Sequence, residues 1–350
     1  MKGGYAIPVF LMLLLSGFSF TVAANINDTI YVDDDGTADY SSIQDAIDAA
    51  VNGDTIYVRA GRYQPSTNLN VNKEITITGE NKEEVFVERE TGSEVLSIQA
   101  KNVVISDISF INFRVANQIQ YDSFTLTNNN FIINNDEDHW NPSLMHISGD
   151  NNMISDNKIT FIGLDDSMKN PCMGIFIQCY QSTIKNNIFE GKQSKFVALK
   201  ILDRTYWIDE ELKGCNLIEG NTFRNNEYGI YLTPTLNPSY QSIITHNNFL
   251  NNNVHAEFNI RMPSLVDFLK NNLKRVMADS GDTGSNANLF GVFGGYWDDN
   301  FWDDYGDKSV KMIPGSIQTD LIFNQFFLYS VPWISFDFHP ASEPFDIGGN

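Results

Sequence analysis

The chain has 350 residues, a formal net charge of −21 and an isoelectric point near 4.4. That balance excludes the basic face a nucleic-acid binder needs, and three cysteines are too few for a disulfide framework. An apolar content of 42% suffices for a large core, and one elongated domain accounts for the length.

Residues 1–24 have the three parts of a secretory signal peptide: Lys2, an apolar run over 5–15, and small residues at 21–24. An uncleaved anchor is the alternative, because the apolar character reaches Val22. Either way the rest of the chain is expected outside the cell or on its surface, with no later membrane span. Ser42 with Asp45 three residues on predicts a helix N-cap. Ile43, Ala46, Ile47, Ala50 and Val51 then form one apolar stripe. Strand-like runs follow at 55–58, 75–78 and 85–88.

Between 95 and 258 one pattern returns: apolar, two residues, Asn, one residue, apolar. Its copies are anchored at Leu126, Ile154, Ile184, Ile218 and Ile244, with their asparagines at Asn129, Asn157, Asn187, Asn221 and Asn247. Ile105 anchors a copy in which the Asn is replaced. A second strand run precedes each copy, and in four of them its inward Ile lies seven residues before the anchor. A fixed register between two strand runs, with loops of varying length outside it, predicts a coil of stacked rungs. One rung cannot bury its apolar face alone. Rungs stacked at about 4.8 Å pair every backbone amide and join those faces into a column. The repeated Asn is expected at the corner after the anchor strand, in left-handed backbone, with its amide bonded to the Asn of the next rung. The predicted fold class is therefore all-β, a solenoid with the 42–51 helix plugging its open end.

Four segments exceed the minimal rung length. Segment 134–143 carries Trp140; 163–172 carries Asp165 and Asp166; 203–214 carries Asp203, Arg204, Tyr206, Trp207 and Glu210; 234–241 carries Tyr240. Aromatic rings stack on the apolar face of a pyranose and acids perform proton transfers. Trp140, Tyr206, Trp207 and Tyr240 are thus the candidate substrate-binding residues, and Asp165, Asp166, Asp203, Arg204 and Glu210 the candidate catalytic ones. The competing account is solvated loops with an aromatic foot packed on the coil. The first two segments leave one corner and the last two another, so they need not share a cleft. His146, His246 and His255 lie in or beside strands and read as surface or packing residues. Cys172 and Cys179 can bridge one loop or remain thiols.

The pattern stops near Phe258. A helix is expected near 263–279, starting at Pro263 and inserted into the coil domain of 25–310. Residues 311–350 form a C-terminal cap and tail. The aromatic run around Trp297 and Trp302 suits a seal for the far end of the coil. Asp298, Asp299, Asp303, Asp304 and Asp307 are candidate Ca²⁺ ligands, although they lack the spacing of a known Ca²⁺ loop.

The opening residues resemble the entry of pectin-lyase-like right-handed parallel β-helices. Those residues are Ile30–Val32, the run Asp33, Asp34, Asp35 and Gly36, then 40–47, 53–58 and Gly61, Arg62 and Tyr63. The repeats resemble the periplasmic copper-maturation (NosD-like) and carbohydrate-binding or sugar-hydrolase class, and the 295–305 and 332–347 stretches resemble the ends of archaeal surface proteins of that kind. The resemblance implies a right-handed parallel β-helix with an N-terminal capping helix and an aromatic C-terminal cap. It is weak for function, because such folds host lyases, hydrolases, epimerases, adhesins and scaffolds. The polygalacturonase pattern is incomplete: the pair Asp165 and Asp166 has no Gly-His-Gly and no Arg-x-Lys beside it. The resulting expectation is a surface protein that binds polysaccharide. The rivals are a polysaccharide lyase or glycoside hydrolase acting on uronate polymers, and a purely structural envelope protein.

Overall fold

The computed structural model describes residues 27–89, 95–117, 122–134, 143–162, 172–178, 181–192, 196–202, 215–233, 242–262, 296–304, 311–320, 328–337 and 339–347. These residues wind into a right-handed parallel β-helix made of three stacks of strands. Stack 1 runs from Thr29–Val32 to Tyr296–Asp298, stack 2 from Gly61–Tyr63 to Phe301–Trp302, and stack 3 from Leu69–Val71 to Lys311–Asp320. Each rung passes from stack 1 to stack 2 to stack 3 and then climbs to stack 1 of the next.

The repeat anchors form the inward column of stack 1. Ile105, Leu126, Ile154, Ile184, Ile218 and Ile244 pair in register and are fully buried. Ile56 and Ile77 extend the column downward, and Trp297 extends it upward. The second apolar residue of each copy forms the column of stack 2. Its rings stack face to face: Phe110 on Phe131, Phe189 on Phe223, Phe223 on Phe249, and Phe249 on Trp302 at 4.2 Å. Trp297, Asn300 and Trp302 are therefore a further copy of the repeat with Trp at both apolar places. The coil continues beyond Phe258, where the sequence pattern had been expected to stop.

The asparagines form the expected ladder. Asn157 Oδ1 accepts from the backbone N–H of Asn129 at 2.9 Å and from its Nδ2 at 3.2 Å. The same two bonds recur from Asn157 to Asn187, Asn187 to Asn221, Asn221 to Asn247 and Asn247 to Asn300. Each Nδ2 also donates to a carbonyl of the rung behind it; Asn187 Nδ2 reaches Ile154 O at 2.8 Å. One detail differs from expectation. The left-handed backbone belongs to the residue before each ladder Asn: Asp107, Asn128, Asp156, Asn186, Gly220, His246 and Asp299 all have positive φ. The ladder Asn is freed to turn its side chain inward because its neighbour makes the bend.

The ends are closed differently from each other. The strand Thr29–Val32 already belongs to stack 1, so the coil starts before the helix. The helix Ile43–Ala49 is capped by Ser42, whose Oγ accepts from Asp45 N, and lies within the first turn. Ile43, Ala46, Ile47 and Ala50 are buried, whereas Val51, assigned to the same stripe, is 61% exposed because the helix has ended. The helix covers the first strand of stack 3: Gln44 Oε1 accepts the Asn70 N–H at 2.8 Å. Lys73 Nζ in turn donates to the helix-end carbonyls of Ile47 and Asp48. At the other end, Lys311–Asp320 pairs parallel with Val254–Met262 and antiparallel with Leu328–Asp337, which reaches stack 1 at Trp297. The 263–279 segment and Cys179 lie outside the described residues. Among the described residues no helix is long and apolar enough to cross a membrane.

Two substitutions test this account by chemical unfolding. Ile184→Ala removes a fully buried side chain and should cost about 2–5 kcal/mol. Asn187→Ala leaves buried donors of Asn157 unmet and should cost about 1–3 kcal/mol. Asn187→Asp should cost more than the Ala change, because a carboxylate there faces the carbonyls of Ile154 and Lys185 with nothing to donate.

Candidate functional site

All four long segments join onto strands of stack 3. Residues 135–142 and 163–171 lead into Ser143–Ile147 and Cys172–Ile177; residues 203–214 and 234–241 lead out of Phe196–Leu202 and Tyr228–Thr233. The two corners the sequence separated are thus the two edges of one sheet. Trp140, Asp165, Asp166, Asp203, Arg204, Tyr206, Trp207, Glu210, Tyr240 and Asp307 themselves lie outside the described residues.

Between those edges the outward positions of stack 3 align over five rungs. His146 pairs with Phe176, Phe176 with Lys200, Lys200 with Tyr231, and Tyr231 with Glu257. Inward neighbours hold them in place: Ile147, Ile177, Ile201, Leu232 and Phe258 are buried on the alternate side. The Lys200 ammonium sits between two rings, 5.5 Å from the Phe176 centroid and 5.6 Å from that of Tyr231. The His146 ring lies 5.1 Å from Phe176, and its Nε2 is 3.0 Å from Gln178 Oε1. Tyr228 meets Tyr231 edge-on at 6.1 Å. Burial raises the Tyr231 hydroxyl above its usual range, with Glu257 adding to the rise and the Asn259 hydrogen bond opposing it. Burial likewise pushes the Glu257 carboxyl up, which favours its protonated form. The row offers ring faces, one cation and one acid on a continuous surface.

A second cluster lies at the end of the coil, where His255, Asp303, Asp304, Lys311 and Trp302 line a cavity of about 580 Å³. His255 lies opposite Gly229 of the rung before it, where an added Cβ would fall 2.4 Å from the His255 carbonyl. The Asn252 amide fixes the imidazole. Its Oδ1 accepts from Asn226 and its Nδ2 donates to Phe223 O, so Nδ2 also faces His255 Nδ1, which accepts at 3.2 Å. Nε2 therefore carries the proton and donates to Asp303 Oδ1 at 2.9 Å, with Asp304 Oδ1 at 3.4 Å. Both nitrogens are occupied, which leaves none to act as a base.

Four of the five candidate Ca²⁺ ligands are described, and they pair separately. Asp298 meets His339, Asp299 meets His246, and Asp303 and Asp304 meet His255. The His255, Asp303 and Asp304 ligand atoms lie within 4.8 Å of one another, but Lys311 Nζ already sits 2.6 and 2.7 Å from the two Asp304 oxygens. Any cation entering there displaces that ammonium. Millimolar Ca²⁺ is therefore expected to leave the melting temperature unchanged in the natural chain and to raise it after Lys311→Met.

Burial also depresses the His255 pKa, against the opposing pull of Asp304 and Asp303. The unfolded chain then takes up this proton before the folded one does, so stability falls as pH drops through about 6.5 and levels off below the folded value. Melting curves between about pH 7.5 and 5.5 should show this loss, and His255→Gln should remove that part of it.

No curated protein matches the chain. Pectin methylesterase from carrot is 15% identical with a TM-score of 0.38, over 69% of this chain and 75% of that one. The PL6 family polysaccharide lyase Pedsa3628 from Pseudopedobacter saltans is 15% identical with a TM-score of 0.43, over 63% of this chain and 59% of that one. The model of the family described as protein of unknown function (DUF1565) matches residues 32–270, more than half of the chain, and the chain belongs to that family.

Proposed function

We propose that this is a secreted or cell-surface polysaccharide-binding protein whose glycan platform is the outer face of stack 3. The observation that carries this reading is the row His146, Phe176, Lys200, Tyr231 and Glu257, aligned by the rungs between the two edges where the long segments attach. Phe176 and Tyr231, two rungs or about 10 Å apart, offer aromatic surface to sugars on either side of Lys200. The Lys, His and Glu side chains add hydrogen bonds between them. Trp140, Tyr206, Trp207 and Tyr240 belong to the same proposal, as borders of the platform contributed by the long segments. The signal-like residues 1–24 and the likeness to NosD-like and archaeal surface repeats support placing it outside the cell.

A second reading is favoured by Glu257 alone. A carboxyl whose pKa is raised by burial is suited to serve as the general acid of a glycoside hydrolase. Such an enzyme also needs a second carboxylate about 5–9.5 Å away, for which Asp165, Asp166, Asp203 and Glu210, with Arg204 as the basic partner of a lyase, are the candidates.

Glycan binding by the full chain separates these readings. Phe176→Ala and Tyr231→Ala should each weaken polysaccharide binding about 5–30-fold, the equivalent of about 1–2 kcal/mol per ring. Trp140→Ala and Trp207→Ala should weaken it in the same direction. Turnover of any polyuronate that is abolished by Glu257→Gln, Asp165→Asn, Asp203→Asn or Glu210→Gln would make the protein an enzyme. Absence of binding to every glycan tested would leave the structural envelope role.

A further inference from the structure

We propose that the outer face of stack 3 selects a glycan bearing isolated carboxylates, with one acidic sugar held at Lys200 and uncharged sugars on the neighbouring rungs. This rests on the glycan reading of that face and names the class of ligand it takes.

The charge pattern of the row is the argument. The chain carries 44 acidic side chains against 23 basic ones, yet among the described residues no carboxylate is paired with Lys200. Its ammonium is held instead between the rings of Phe176 and Tyr231. Ring faces orient a cation without neutralising it, so Lys200 keeps its charge for an incoming anion. It is also the sole lysine or arginine of the row formed by residues 146, 176, 200, 231 and 257. In the row, the positions on either side of Lys200 are the rings of Phe176 and Tyr231, which suit uncharged sugars. Two rungs beyond Lys200, about 10 Å along the coil, stands Glu257.

A polymer with a carboxylate on every sugar meets this row badly. Its central charge finds Lys200, and the adjacent ones face rings against the field of a strongly acidic protein. A neutral polymer fits the rings but leaves the ammonium without a partner. A glycan with one acid among neutral sugars satisfies every position.

Titration calorimetry of the full chain at neutral pH can use three probes: a neutral xylo-oligosaccharide, the same oligosaccharide bearing one glucuronate, and an oligogalacturonate. The singly acidic probe should bind at least about tenfold more tightly than either other, the worth of one charge-assisted contact. Lys200→Met should remove that preference and Lys200→Arg should retain it, with melting curves confirming that both variants fold. The preference should also shrink with added salt. Equal affinity for the neutral and singly acidic probes, or tightest binding of the oligogalacturonate, overturns the selectivity while leaving a glycan platform standing. Binding that Phe176→Ala and Tyr231→Ala do not alter, or no binding of any probe, overturns the platform and the selectivity together.

Discussion

The asparagine ladder is the constraint on which the rest of the coil depends. Each ladder Asn receives two donors from the rung below and returns its own amide to a buried carbonyl of that side. Buried amide groups must be satisfied, and a chain of such bonds holds neighbouring rungs in one register. Sequence variation is therefore pushed away from this corner. Rungs can lengthen between stacks 2 and 3 or between stacks 3 and 1, and those are the places where the four long segments lie. The ladder thus determines which face of the coil can be elaborated.

A ladder of this kind needs a last acceptor, and Asp337 supplies it. Its Oδ2 accepts from Asn300 N and Nδ2 and from Trp302 Nε1, and its Oδ1 accepts from the His339 N–H. The carboxylate is fully buried, which is costly unless every lone pair finds a donor. Here four donors reach it, three at Oδ2 and one at Oδ1. An Asn at this place would aim one N–H at groups that only donate. The terminal position is where an acid replaces the amide, and the return strand from Lys311–Asp320 is what delivers it. The same end substitutes Trp for Ile and for Phe in the two apolar columns. Those larger rings cover more of the last rung than the residues they replace.

Most of this coil was legible because its repeat is short and local. The anchor, the Asn and the following apolar residue are separated by two and one positions, so no loop can blur them. The inward column from Ile105 to Ile244 and the ladder follow directly. The copy at Trp297, Asn300 and Trp302 escaped because both apolar places hold Trp, which read as a seal and not as a rung. The candidate site was far less legible. His146 and Phe176 each stand eight residues before an anchor, but Lys200 and Tyr231 are followed by long segments, and their offsets from Ile218 and Ile244 differ. Only backbone pairing shows that the four side chains share one row. The acids and rings of the long segments were visible in the sequence. What was not visible is that stack 3 lies between the two corners they leave.

Two clusters compete for a functional role, and their internal bonding separates them. In the cavity at the end of the coil, His255 has both nitrogens engaged, Asp304 has Lys311, and Asp303 has His255 and the Asn251 N–H. Every group there already has a partner from the protein, which is how a folding end is held shut. On stack 3 His146 has Gln178 and Tyr231 has Asn259, but among the described residues no carboxylate pairs with Lys200. Lys200 rests between the rings of Phe176 and Tyr231, and all three side chains are partly exposed. Hydrogen bonds that the protein makes to itself are withdrawn from ligands, and charges left without a counter-ion are available to them. The ladder amides and the groups at the end of the coil bond within the protein, whereas among the described residues Lys200, on the face bordered by the long segments, meets rings and no carboxylate.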